Sequence, residues 1–260
     1  MMLNLDLEQL FPEGLTDDGF LSERLQILQP RKGYRAGADP VLLAAACPAK
    51  PGDSVLEAGC GAGVASLCLG ARVDDLQLTG IELQEKYATL ARENAVRNDQ
   101  GLEVFTSDIQ TIPAEVKARS FDQVIMNPPF FERNKGSSAP DSGKEIALAG
   151  NTPTEVWIDL AARRLKPKGY LTLIQDIRRL PDVLSASLSR LGSIEVLPIA
   201  ARPGRKTHLF LMRARKEGRA DFILHSPMVT HEGDRHLKDG ESYTDQIRSI
   251  LRDGSALKFP

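Results

Sequence analysis

From residue 39 onward, short apolar runs alternate with stretches whose apolar residues recur at helical spacing. DPVLLAAAC (39–47) predicts a helix, with Asp39 as N-cap and Pro40 at its first position. SVLEA (54–58) reads as a strand, GVASLCLGAR (63–72) as a helix and LQLTGIEL (76–83) as a second strand. A helix over QEKYATLARENAVRN (84–98) follows, then strands over LEVFTSD (102–108) and FDQVIMN (121–127). TPTEVWIDLAARRLK (152–166) is amphipathic, opening at a Thr-Pro cap and stopping before Pro167 and Gly169. Strands over 169–176, 193–201 and 207–215 complete the pattern, with a helix over 181–192 between the first two.

Strand–helix alternation predicts right-handed crossovers and a mostly parallel sheet covered on both faces. Only ARPGRK (201–206) joins the last two strands, which is too short for a crossover helix, so they should pair antiparallel. The expected fold is α/β, with six parallel strands and one reversed strand at an edge. FLSERLQIL alternates weakly, so residues 20–37 predict a small hairpin within an amino-terminal extension over 1–38. Residues 39–260 then form one domain, whose polar tail carries a single helix, TDQIRSILR (244–252).

Composition admits a full core, with 42% hydrophobic and 26% charged residues. No apolar run approaches the roughly 20 residues of a membrane span. The acidic start MMLNLDLEQLFPEGL lacks the basic and apolar regions of a secretory signal, so a cytoplasmic protein is expected. Cys47, Cys60 and Cys68 read as free thiols. Net charge is −2, yet residues 161–220 hold fourteen Lys and Arg against four acids. That asymmetry predicts one electropositive face, suited to nucleic acid. The four histidines show no zinc-ligand spacing, and no G-x-S-x-G nucleophile motif occurs.

EAGCGAG (57–63) lies between the first strand and its helix, where free N–H groups and glycines let a ligand approach the backbone. Gly59, Gly61 and Gly63 form G-x-G-x-G, whereas a dinucleotide fingerprint needs its third glycine at Val64, so a pyrophosphate cradle is disfavoured. Glu82 ends the second strand, where a carboxylate in this topology accepts ribose hydroxyls. Asp108 ends the third, positioned to accept a proton from an adenine amino group.

These acids and glycines, with NPPF after the fourth strand, resemble the S-adenosylmethionine (SAM) dependent methyltransferases of the Rossmann-like fold. The resemblance covers about residues 20–255 and is nearest to the methyltransferase small domain group, which includes bacterial tRNA adenine-N6 methyltransferases. GYRAGADPVLLAAA (33–46), the stretch after NPPF and ESYTDQIRSILR (241–252) support the narrower match. It implies SAM as cofactor, with Glu57, Gly59, Gly61 and Gly63 at the methionine end and ribose, Glu82 at the ribose and Asp108 at the adenine. It also sets Arg35 and Asp39 beside the cofactor's amino-acid portion. RNA, tRNA above all, is the implied partner, through residues 161–220.

An amide or aromatic amine is a poor nucleophile because its lone pair is delocalised. Two acceptors aimed at its hydrogens would raise the lone-pair density. Asn127 offers a side-chain carbonyl and Pro128 a backbone one, while Pro129 stiffens the turn without adding a donor. Phe130 would stack a planar base. The same corner also suits a protein-glutamine N5 methyltransferase, although those enzymes usually carry Tyr at the position of Phe130. A small-molecule O-methyltransferase and an inactive SAM-binding module remain as further readings. Residues 132–150, polar and rich in Gly and Ser, read as a lid or a mobile loop.

Overall fold

A computed structural model describes residues 3–129, 152–233 and 242–260 of the chain. Helix α1 (Leu3–Leu10) leads into a hairpin of β1 (Leu15–Phe20) and β2 (Leu25–Pro30). Next come α2 (Ala38–Ala46), β3 (Ser54–Ala58), α3 (Val64–Gly70), β4 (Gln77–Glu82) and α4 (Glu85–Arg97). β5 (Leu102–Thr106), the short α5 (Ala114–Lys117) and β6 (Phe121–Met126) follow. α6 (Thr154–Arg164) runs directly into β7 (Leu165–Asp176), and one 3-10 turn precedes α7 (Leu180–Leu188). β8 (Gly192–Ala200), β9 (Thr207–Arg215), the two-residue strands β10 (Ile223–Leu224) and β11 (Met228–Val229), and α8 (Asp245–Asp253) complete the chain.

The main sheet runs β10-β8-β9-β7-β6-β3-β4-β5, with β11 also on β8. β3 to β7 are parallel, and β9 is antiparallel to both β7 and β8. The α/β class and the single reversed strand therefore hold. The position of that strand differs from expectation: β9 fills the place between β7 and β8, and β10 and β11 lie beyond β8, so β9 is interior to the sheet. The crossover through α7 sets β8 down one place beyond β7, and the short return drops β9 into the gap.

Side chains alternate across the sheet with period two. Val55, Ile125 and Ile174 join the core under α2, α3 and α4, whereas Leu56, Val124 and Leu173 join the opposite core under α6 and α7. The same alternation turns Glu57 toward α3.

The hairpin spans 15–30 rather than 20–37, and its tip holds Leu21, Ser22 and Glu23 in the left-handed region. Leu21, Leu25 and Ile27 are buried in the same core as α2, α3 and α4. Its outer edge is satisfied by two asparagines four residues apart, Asn94 on α4 and Asn98 at that helix's C-cap. Asn94 Oδ1 accepts from Leu28 N (2.8 Å), and its Nδ2 donates to Leu28 O and Ala62 O. Asn98 does the same for Gln26 N and O. Asn94 is fully buried and thereby ties hairpin, helix and glycine loop together. Asn94→Ala would leave three backbone groups unmet, the part-buried Leu28 N and Leu28 O and the buried Ala62 O. The expected loss is about 3 kcal/mol, a melting midpoint lower by roughly 6–12 °C at this size, read by thermal unfolding.

Two predicted caps do not form. Gly37 occupies the N-cap of α2, so Asp39 lies in the first turn, and Pro153 rather than Thr152 precedes α6. Thr244 does cap α8, accepting from Ile247 N, and left-handed Gly254 ends that helix.

Candidate active site

A cavity of about 350 Å³ opens at the carboxyl ends of β3, β4, β5 and β6. In a parallel sheet, that edge is where the strand-to-helix loops converge. Gly59, Gly61 and Gly63 all adopt positive φ (70°, 54° and 83°), which lets the loop turn sharply into α3. Gly59 is further constrained: an added Cβ would stand 2.9 Å from Trp157 Cη2. At Gly61 an added Cβ would point at the Tyr34 ring, 3.6 Å away, filling the cradle between loop and ring. The loop is pinned to β4, with Gly59 N and Cys60 N both donating to Ile81 O.

The two glutamates have distinct surroundings. Glu57 is buried, and one of its oxygens accepts from Ser66 N and Ser66 Oγ on α3. Burial pushes its carboxyl up to about 8, against the lowering effect of the Ser66 bonds and helped by nearby Glu82. Glu82 Oε2 accepts from Gly61 N and Oε1 from Gln84 N, both at 2.9 Å. Burial raises its carboxyl too, while those N–H groups oppose the rise. Each Glu82 oxygen keeps a lone pair beyond its backbone partner. Asp108 lines the same cavity, with Oδ1 accepting from Gln110 N.

Asn127 lines the cavity across from the glycine loop, beside Pro128, Pro129, Thr152 and Trp157. Its Oδ1 is buried without a hydrogen-bond partner among the described residues. An unpaired buried acceptor is costly and in native proteins calls for an explanation. Pro128 O already accepts one bond, from Gln175 Nε2 at 3.0 Å, which leaves it one lone pair. Phe130 lies outside the described residues, as does the stretch 132–150 expected to be a lid or mobile loop.

Arg35 departs from expectation. Its guanidinium turns to the hairpin, pairing with Asp18 (2.7 Å) and donating to Thr16 Oγ1 and Pro30 O, because β1 offers it acceptors on that side. Neither Arg35 nor Asp39 lines the cavity, although the adjacent Tyr34, Ala36 and Pro40 do. Desolvation raises the Asp39 carboxyl. Tyr34, Gln84 and Trp157 also line the cavity, although no motif in the sequence marks them. Gln84 Oε1 is, like Asn127 Oδ1, a buried acceptor without a partner among the described residues. Trp157, on the amphipathic helix α6, is buried and also forms a cavity wall. Its place on the first turn of the helix after β6, facing the glycine loop, was the available signal. Cys60 is buried, and its thiol is raised well above the usual range by desolvation and the two glutamates, so it is held as a neutral thiol.

The expected single electropositive face is not what forms. Parallel topology sends successive loops to opposite ends of the sheet, so residues adjacent in sequence separate in space. Arg178, Arg179, Arg202, Arg205 and Lys206 follow the carboxyl ends of β7 and β8, on the active-site edge. Arg164, Lys166, Lys168, Arg215 and Lys216 lie at the other end, and Arg213 turns inward to Ala46 O and Leu257 O. Among the described residues, no helix is long and apolar enough to cross a membrane.

The arrangement suits SAM. Carboxylates at the ends of β4 and β5 match its ribose and adenine, a cradle without Cβ atoms matches its methionine end, and no pyrophosphate site is needed. The family model of the methyltransferase small domain matches residues 37–195. A tRNA1(Val) (adenine(37)-N6)-methyltransferase of Klebsiella pneumoniae is 36% identical over 181 residues, 68% of this chain and 71% of that one. The protein of the same name from Porphyromonas gingivalis is 31% identical, over 73% of this chain and 77% of its own. Among solved structures, a predicted O-methyltransferase of Agrobacterium tumefaciens superposes with a TM-score of 0.66 at 25% identity, covering 84% of this chain and 98% of that one. The chain belongs to the methyltransferase small domain family and is a SAM-dependent methyltransferase.

Proposed function

We propose that this protein transfers the methyl group of SAM to an exocyclic amino nitrogen of an RNA base, adenine N6 in tRNA above all. The observation that carries the reading is the buried, unpartnered Oδ1 of Asn127 in the cavity. A carbonyl acceptor there is matched by a donor, and an amino group brings two. Oδ1 takes one hydrogen and the second lone pair of Pro128 O takes the other. Holding both hydrogens in this way favours a pyramidal nitrogen whose lone pair faces the cofactor.

When bound, SAM supplies an electrophilic methyl on sulfonium. The bound cofactor would give up that methyl to the amino nitrogen and keep the electron pair on its sulfur, and the proton the nitrogen sheds would pass to water. Alignment and a low-polarity site suffice for such a displacement. Glu57, Gly59, Gly61 and Gly63 are assigned to the methionine end and ribose, Glu82 to the ribose hydroxyls and Asp108 to the adenine. Phe130 keeps its proposed stacking role. The tRNA adenine relatives support this substrate class, and the target base must leave its stack to enter the cavity.

A second reading, transfer to oxygen, follows from the name of the Agrobacterium neighbour. Asn127 argues against it, because a carboxamide cannot take the hydroxyl proton such a reaction must remove.

The RNA path is assigned to the carboxyl-edge cations. Beyond β7 and β8, Arg178, Arg179, Arg202, Arg205 and Lys206 outnumber Asp176 and Asp182. On the other side of Asn127, Glu82, Glu85 and Asp108 outnumber Lys86. RNA should therefore approach over β7, β9 and β8. The informative change is Arg205→Glu with Lys206→Glu, two adjacent cations in the loop between β8 and β9 at that edge. This pair is expected to weaken tRNA binding at least tenfold and to flatten its salt dependence, measured by binding titrations across salt. The matching reversal of Lys168 and Lys216 at the opposite end should change little. Equal losses from both pairs would contradict this path.

A further inference from the structure

We propose that Gln175 is a positioning residue for the methyl transfer, holding the Pro128 carbonyl in place as the second acceptor of the target amine. The inference rests on the amino-nitrogen reading above. β6 pairs with β7 in parallel as far as Met126 opposite Leu173. Beyond that point the ladder cannot continue, since Pro128 and Pro129 have no N–H. A carbonyl at such a break is free to rotate with its peptide plane. Here it is held, because Gln175 Nε2 donates to Pro128 O at 3.0 Å.

The Gln175 amide is itself fixed. Its Oε1 accepts from Asp176 N at 2.8 Å, so both ends of the amide are committed and its orientation follows from the bonding. Gln175 is 4% exposed, and its backbone pairs with Phe210 on β9, so the donor comes from the interior of the sheet. One lone pair of Pro128 O is thus occupied from the β7 side, and the other is left for the cavity. Asn127 Oδ1 has no such support and is the stronger acceptor, since it gives nothing to another donor. The two acceptors therefore differ in role: Oδ1 is unspent, whereas Pro128 O is spent once to be aimed.

Gln175→Glu separates this role from simple packing, because it keeps size and shape while removing the donor when ionised. At pH 8 its kcat should fall about 10- to 100-fold, with the SAM dissociation constant within twofold of the parent. As pH is lowered to 6, the neutral carboxyl regains an O–H that can donate to Pro128 O. The kcat ratio of variant to parent should then rise severalfold, a pH profile that a packing defect would not produce. Gln175→Met, neutral and donorless, should show the same loss with no recovery, and serves if the Glu variant fails to fold. Parent-like kcat in either folded variant, while Asn127→Ala is inactive, would overturn the positioning role alone. Full activity in Asn127→Ala would instead overturn the acceptor reading on which it depends.

Discussion

Asn127→Ala is expected to lower kcat by about 10²- to 10³-fold, on the scale set by deleting one preorganised hydrogen-bonding group from an active site. SAM affinity should be unchanged, because the cofactor contacts are assigned to β3, β4 and β5. The effect on stability should have the opposite sign. Asn127 Oδ1 is buried and unpartnered, so the folded protein already bears its desolvation cost. Removing it should leave the melting midpoint unchanged or raise it, by about 1 kcal/mol of stability at most. An inactive variant at least as stable as its parent marks a residue kept for function at the fold's expense. A coincident loss of activity and stability would indicate a structural asparagine instead.

Glu82→Ala should abolish SAM binding in the range where the parent saturates. Two charge-assisted hydrogen bonds to ribose, at about 1.5–3 kcal/mol each, correspond to a 10²- to 10⁴-fold loss of affinity. The same change also releases Gly61 N and Gln84 N, loosening the loop that forms the cradle. Trp157 provides the readout. It is the only tryptophan in the chain and a wall of the cavity, so its emission should respond to SAM in the parent and remain flat in the variant. Glu82→Gln, which keeps the neutral backbone bond at one oxygen, should fall between the two. A parent-like titration in Glu82→Ala would contradict the cofactor assignment.

Much of this was legible in the sequence, for reasons that can be stated. β3, β4 and β6 are mostly buried along their length, and VL, LTGI and VIM are short apolar stretches that read as strands. The strand-end residues Glu57, Glu82, Asp108 and Asn127 could then be placed at one edge by topology alone. What escaped notice depended on distance in space. The hairpin tip LSER has no glycine, asparagine or proline, and three ordinary residues take left-handed conformations there, so no turn signal existed. Asn94 and Asn98 take their role from the edge of β2, which lies about 70 residues away in sequence and is brought to them only by the fold. Arg35 was drawn to the hairpin by Asp18, a partner 17 residues earlier whose proximity only pairing of β1 with β2 creates. The cationic cluster was real in sequence and divided in space, because successive loops of a parallel sheet leave by opposite ends. Gln175 sat at the end of an apolar strand, and only the register of β7 beside β6 gives its amide a purpose.

The central claim is transfer to an amino nitrogen of an RNA base. Its most direct test is incubation of the protein with deuteromethyl-SAM and bulk tRNA lacking the modification, followed by digestion to nucleosides and mass spectrometry. The account predicts the deuterated methyl on the amino nitrogen of adenine, and none when Asn127 is alanine. Label on a ribose or base oxygen, or in glutamine side chains of added protein with none in the nucleosides, would contradict it.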